Sequence, residues 1–319
     1  MILERWKNVN TYVIGKLHIT NQLPCQDRTF YYEANGVKVL SLADGAGSKK
    51  LSQIGADIVC KEICTLLANN FVEYLLKFEF QNTDKNKHEK NMASLSKVII
   101  NHLVNALKKQ AIELNVGVEE LSSTLLFVAV KDNHYIMGHL GDGVIAGLYS
   151  ENNTTRVRVL SDPENGEKKN VTYFVPDSDA DQHLRLEVGR MNNLKGILLT
   201  SDGAGTVLFN NQTIDGNVIK IFNNFIGKTS DEYEKILRNF LENMISNYSS
   251  DDLSFNVLLL ENADTETISK EYGYYLLSNI RSKSQITKRS SYCYNLDSSK
   301  PGKKDLPNNE TVKEYILWK

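Results

Sequence analysis

The chain has 319 residues, 41% hydrophobic and 24% charged, with 37 Lys+Arg against 39 Asp+Glu for a formal net charge of -2. That length can bury a large core, and the balanced charge points neither to a nucleic-acid coat nor to an acidic disordered tail. No apolar run approaches the roughly 20 residues of a membrane span. Glu4, Arg5 and Lys7 stand where a signal peptide needs apolar residues, and four cysteines without a CxxC pair suit neither a disulfide framework nor a zinc knuckle. The expectation is a cytoplasmic globular protein that neither binds nucleic acid nor enters a membrane.

Taken in chain order, residues 11–19 and 28–34 read as strands, and 37–43 (VKVLSLA) as a short buried one. A helical period follows from Ser52 to Leu67, then a polar stretch over 77–91 read as a surface loop, then a second amphipathic helix from Ser94 to Asn115. From Thr124 the period turns to strands: TLLFVAV, YIMGHLG and VIAGLY. Residues 151–195 mix short strands with polar loops. GILLT at 196–200 is a buried strand, loop and helix follow to about Tyr248, and FNVLLL at 255–260 is the last strand. Beyond 261 the texture shifts to mixed charge with Ser and Asn. The expected organisation is a catalytic-type domain over 1–261 and a C-terminal appendage over 262–319, with helices packed outside sheets.

The aspartates carry the chemistry. Apolar runs end in Asp-Gly three times, at Asp44–Gly45, Asp142–Gly143 and Asp202–Gly203, while Asp251–Asp252 opens the last strand and Gln26–Asp27 precedes an early one. Acids at strand ends converge on one rim of a sheet, where sites are commonly built. Carboxylates crowded together repel unless a cation lies between them. Hard oxygen donors suit Mg²⁺ or Mn²⁺, and a pair of such ions can activate water against a phosphoryl group. Asp-Gly is also the commonest hairpin turn signal, and that reading is strongest at Asp142, where a strand follows at once.

In this order the motifs resemble those of the metal-dependent Ser/Thr protein phosphatases (the PPM or type-2C family), in particular their compact bacterial branch. They run G-x-x-H…P-C-Q-D over Gly15–Asp27, A-D-G-A-G over Ala43–Gly47, S-S-T over Ser122–Thr124, G-D-G over Gly141–Gly143, S-D-G over Ser201–Gly203 and D-D-L-S over Asp251–Ser254. The resemblance implies an α+β fold: a four-layer α-β-β-α sandwich with a central antiparallel β-sandwich flanked by helices. It implies hydrolysis of phosphoserine or phosphothreonine by metal-activated hydroxide at a binuclear Mg²⁺ or Mn²⁺ centre. Asp44 would bridge the two metals, the Gly45 carbonyl would bind the second, and Asp202 and Asp251 would hold the first. Asp27 would orient the nucleophile through water, and Asp142 would help hold a third, weaker metal. The partners implied are a phosphorylated protein and a cognate Ser/Thr kinase.

Three positions depart from the family pattern. Gln26 stands where the family often has Glu, and Ala46 where it often has a proton-donating His. His18 stands at the place of a phosphate-binding Arg, and a bidentate guanidinium grips phosphate more firmly than an imidazole. Arg28 is a candidate replacement. These departures keep a pseudophosphatase or scaffold open as an alternative, and small phosphate esters open as substrates. Cys60 and Cys64 read as buried structural thiols, Cys25 as a candidate oxidation site, and the tail tyrosines as a docking or packing surface.

Overall fold

In the stretches 37–43, 125–131, 194–200 and 253–260 residues on both strand faces are mostly apolar and buried, the pattern of sheets covered on both faces. In a computed structural model, which describes residues 6–79, 85–151, 154–164, 172–209 and 214–260, ten strands form two antiparallel sheets. One sheet orders β1 (Trp6–Val13), β10 (Leu253–Leu260), β9 (Leu194–Thr200), β6 (Val144–Glu151) and β7 (Thr154–Ser161). The other orders β2 (Arg28–Ala34), β3 (Val37–Ala43), β4 (Leu125–Lys131), β5 (His134–Leu140) and β8 (Arg185–Arg190). Leu40, Leu42, Leu126, Val128, Ile197 and Leu199 meet between them.

Their alternate neighbours face helices. Val37, Val39, Phe127 and Ala129 pack under α2 (Ser52–Glu79) and α3 (Lys85–Leu114), which present Ile63, Leu67 and Phe71, and Leu95, Ile99, Leu103 and Leu107, at four-residue spacing. On the far side Leu198, Phe255 and Val257 pack under α6 (Asn217–Phe225) and α7 (Ser230–Asn243), the latter opened by a Thr229–Glu232 capping box. The α-β-β-α layering expected from the sequence is present. Short helices α1 (Lys16–Thr20), α4 (Ala180–His183) and α5 (Asp202–Leu208) complete the set used below. A buried amide stitches the sheets together: Asn256 donates to the carbonyls of Phe30 and Ser41 across the sandwich.

Three local expectations are corrected. Residues 11–19 are not one strand, because β1 stops at Val13 and Gly15 leads into α1, whose Leu17 and Ile19 face solvent. The polar stretch 77–91 is largely helical, since α2 runs to Glu79 and α3 begins at Lys85. It contains neither Gly nor Pro, and Lys77, Glu89 and Lys90 are exposed on its described turns while Phe78 is buried in the core. Asp142 is no hairpin turn: β5 pairs with β4 and β8, β6 pairs with β7 and β9, so Gly141–Gly143 carries the chain from one sheet to the other. The appendage and its tyrosines lie outside the described residues. Among the described residues, no helix is long and apolar enough to cross a membrane.

Candidate active site

The strand ends converge as their order suggested. Asp44 is the first residue after β3, Asp202 the first of α5 directly after β9, Asp251 stands just before β10, and Asp142 lies in the link between the sheets. All four line one cleft of about 460 Å³, together with Gly45 and His18. Asp27 does not reach it. That side chain is fully buried behind Asp44, immediately before β2.

The backbone around each acid is fixed locally. The Asp44 N–H donates to Thr124 Oγ1 at 2.9 Å, the Asp44 carbonyl accepts from the Thr124 N–H at 2.8 Å, and the Ala46 N–H donates to the Ser122 carbonyl at 2.9 Å. The Ser-Ser-Thr segment therefore clamps the Asp-Gly-Ala-Gly loop as a short continuation of the β3–β4 pairing. At the other side of the cleft, α5 and the turn before α1 press directly on the 251–252 backbone. A Cβ at Gly203 would lie 2.1 Å from the Asp252 carbonyl oxygen, and one at Gly15 would lie 2.3 Å from the Asp251 carbonyl carbon. Only glycine allows these approaches.

Burial and mutual repulsion oppose charge on these carboxylates. Burial, followed by the charges of Asp27, Asp202 and Asp251, holds Asp44 well above the usual carboxylate range. Asp202 is pushed up to about 7 by burial, then by Asp142, Asp251 and Asp27. Asp142 is raised by burial and by Asp251. Burial lifts Asp27 to about 6, with Asp252 adding to the rise and the hydroxyls of Ser201 and Ser254 offsetting part of it.

Among the described residues, no three His, Cys, Asp or Glu side chains close on one point as a finished cation cage. The donors nevertheless suit a hard divalent ion. They are carboxylate oxygens with a neighbouring backbone carbonyl, and Asp202 Oδ1 is buried without a hydrogen-bond partner. A cation is the group that would satisfy that oxygen and relieve the repulsion.

His18 sits on α1 rather than on a strand, lines the cleft and places Nδ1 2.8 Å from Asp252 Oδ2. The motif resemblance assigns Asp252 no role, although the Asp251–Asp252 pair stands in the sequence. The two turn opposite ways, with Asp251 open to the cleft and Asp252 buried, accepting from the Gly15 N–H at 2.6 Å and the Gln26 N–H at 2.5 Å. Arg28 does not replace a phosphate-binding arginine. Its guanidinium donates to the carbonyls of Cys25 and Asp27 and lies over the Tyr12 ring, away from the cleft lining. Gln26 lines the cleft and donates to the Lys49 carbonyl at 3.1 Å. Burial, reinforced by Asp27 and Asp252, drives the Cys25 thiol up and keeps it from forming the reactive thiolate. Cys60 and Cys64 are buried against β3, the Cys64 thiol 3.2 Å from Ser41 Oγ.

Two five-stranded antiparallel sheets between helical layers, with an acid-lined cleft at the strand ends, define a phosphatase-type sandwich. The family profile for Protein phosphatase 2C matches residues 14–242, well over half of the chain, and the protein belongs to that family. Among solved structures, the fold is similar to the serine/threonine phosphatase Stp1 from Staphylococcus aureus, with a TM-score of 0.52 and 16% identity over 81% of this chain and 96% of that one. It is also similar to serine-threonine phosphatase 2C from Toxoplasma gondii, with a TM-score of 0.54 and 14% identity over 80% of this chain and 95% of the other. A bacterial serine phosphatase gives a TM-score of 0.52 and 16% identity, covering 81% of this chain and 98% of its own. A comparison with curated protein sequences found no match.

Proposed function

We propose that this protein is a divalent-metal-dependent phosphatase that removes phosphate from serine or threonine of a phosphorylated protein, acting in the cytoplasm against a cognate kinase. The observation that carries the reading is the convergence of Asp44, Asp142, Asp202 and Asp251 on one cleft with no Lys or Arg in its lining among the described residues. A dianionic phosphate would be repelled from such a surface, so the site needs added positive charge. Asp44, the Gly45 carbonyl, Asp202 and Asp251 would hold two Mg²⁺ or Mn²⁺ ions, and Asp142 would help hold a third; bound there, such ions supply charge neutralisation and Lewis-acid polarisation of phosphate. Asp27, buried behind Asp44 and outside the cleft lining, would influence the nucleophilic water through Asp44 rather than by direct contact. His18 faces the substrate side and is the cleft's imidazole.

The test is hydrolysis of 4-nitrophenyl phosphate and a phosphothreonine peptide with Mn²⁺, with Mg²⁺ and with chelator. Turnover that requires metal is the expected result, and inertness of folded, metal-bound protein on both overturns the reading. A second reading, a pseudophosphatase that binds a partner through the same cleft, is favoured by one feature: Arg28 is committed to backbone carbonyls rather than to the cleft. Mn²⁺ titration calorimetry separates the two, since a scaffold with decayed ligands would show no binding at millimolar metal.

A further inference from the structure

We propose that His18 is the proton donor to the leaving group in this cleft and that Asp252 is the residue that positions it; the proposal rests on the phosphomonoesterase reading above. Departure of a serine or threonine alkoxide requires a proton, because the free alkoxide is a far stronger base than water can tolerate at neutral pH. The cleft lining, among the described residues, contains four carboxylates, neutral polar and small groups, a phenylalanine and one imidazole. The carboxylates are the groups suited to cations. Ala46 has no proton to give. That leaves the imidazole.

The imidazole is also held. Its Nδ1 lies 2.8 Å from Asp252 Oδ2, with the two side chains 12% and 1% exposed. Asp252 is itself anchored by the backbone N–H groups of Gly15 and Gln26, so the acceptor cannot swing away from the ring. A carboxylate on Nδ1–H fixes the tautomer and leaves Nε2 as the nitrogen available for proton transfer, the logic of a buried acid behind a catalytic histidine. No hydrogen bond among the described residues engages Nε2.

The balance of the step is simple. Water oxygen forms the new bond to phosphorus and the bond from phosphorus to the substrate oxygen breaks. That oxygen takes the Nε2 proton of the imidazolium, giving alcohol and inorganic phosphate. Neutral His18 keeps Nδ1–H on Asp252 and recovers its second proton from solvent, matching the proton that the attacking water releases.

The leaving group supplies the test. 4-Nitrophenolate departs without protonation, whereas the threonine alkoxide does not. The full chain with saturating Mn²⁺ is assayed on 4-nitrophenyl phosphate and on a phosphothreonine peptide, as wild type, His18→Gln, His18→Arg and Asp252→Asn. For His18→Gln, kcat on the peptide is expected to fall by about 10²-fold and to fall at least about tenfold more than on 4-nitrophenyl phosphate. Asp252→Asn should show the same selectivity in weaker form, because one carboxamide oxygen still accepts. Equal losses on both substrates for His18→Gln overturn the proposal. So does restoration of peptide turnover by His18→Arg, since a guanidinium keeps a cation for binding phosphate but does not release a proton. Wild-type protein inert on both substrates overturns the phosphatase reading itself, and this proposal with it.

Discussion

The wall and the floor of the cleft are both acidic, yet they are built on opposite terms. On the wall, Asp44, Asp142 and Asp202 crowd one another, their pKa values are driven up, and Asp202 Oδ1 has no protein partner. On the floor, Asp252 is as deeply buried as any of them but collects two backbone N–H groups and an imidazole. Burying a carboxylate costs free energy unless donors compensate for lost water. The floor compensates within the protein, whereas the wall leaves the compensation to something bound. The contrast locates the ligand site more sharply than acidity alone does. Asp251 and Asp252, one peptide apart, fall on its two sides.

Removing wall acids should give the largest effect. Asp44→Asn and Asp202→Ala are expected to lower phosphatase activity by about 10³-fold or more, the worth of several kcal/mol of charge stabilisation. Both should leave the fold intact or slightly more stable in chelator, because each removes repulsion from a crowded group. Activity together with thermal melts in chelator checks both halves. A large drop in melting temperature would mean that wall acids, too, are structural. The floor should behave the other way. Asp252→Ala strands the Gly15 and Gln26 N–H groups and releases His18, a loss of about 2–5 kcal/mol in stability by denaturant unfolding.

Gly203→Ala probes the seam between wall and floor. Its new Cβ would sit 2.1 Å from the Asp252 carbonyl oxygen and 3.2 Å from Asp251 Cβ, so α5 must back away from the start of β10. A cost of about 1–3 kcal/mol is expected, with weaker Mn²⁺ binding by calorimetry because Asp202 and Asp251 separate. Unchanged metal affinity would show that the two acids act independently.

The wall was legible in the sequence because its acids punctuate apolar strands, and strand ends of a buried sheet meet at one rim. The floor was not. Neighbouring residues entering a strand point to opposite faces, so the pair Asp251–Asp252 announces that one acid turns inward without saying which. The segment around His18 alternates apolar and polar like a strand, yet the chain turns into α1 after Gly15, which packs on the Asp251 backbone. Asp142 was ambiguous for a different reason. Asp-Gly is the same local signal whether the chain folds back in one sheet or crosses to the other, and the difference lies in long-range pairing. Arg28 looked available by its position in the chain, yet the carbonyls of Cys25 and Asp27 claim it.

The last expected effect is a slope rather than a loss. Asp27 and Asp202 have an ordinary pKa of 3.8 and are raised in the folded protein to about 6 and about 7. Between those limits the folded state binds more protons than the unfolded one, so the stability tied to these groups is fully present below 3.8 and is lost as pH rises through about 6 and about 7. Chelated protein should therefore melt at a lower temperature at pH 8 than at pH 5. Added Mg²⁺ or Mn²⁺ binds the ionised wall and should raise the melting temperature more at pH 8 than at pH 5, flattening or reversing the slope. Melts in chelator and in metal across that range check both arms. If the chelated protein grew more stable toward pH 8, Asp202 on the wall and Asp27 behind it would be ionised and matched by protein donors, as Asp252 is, and the distinction between wall and floor would be lost.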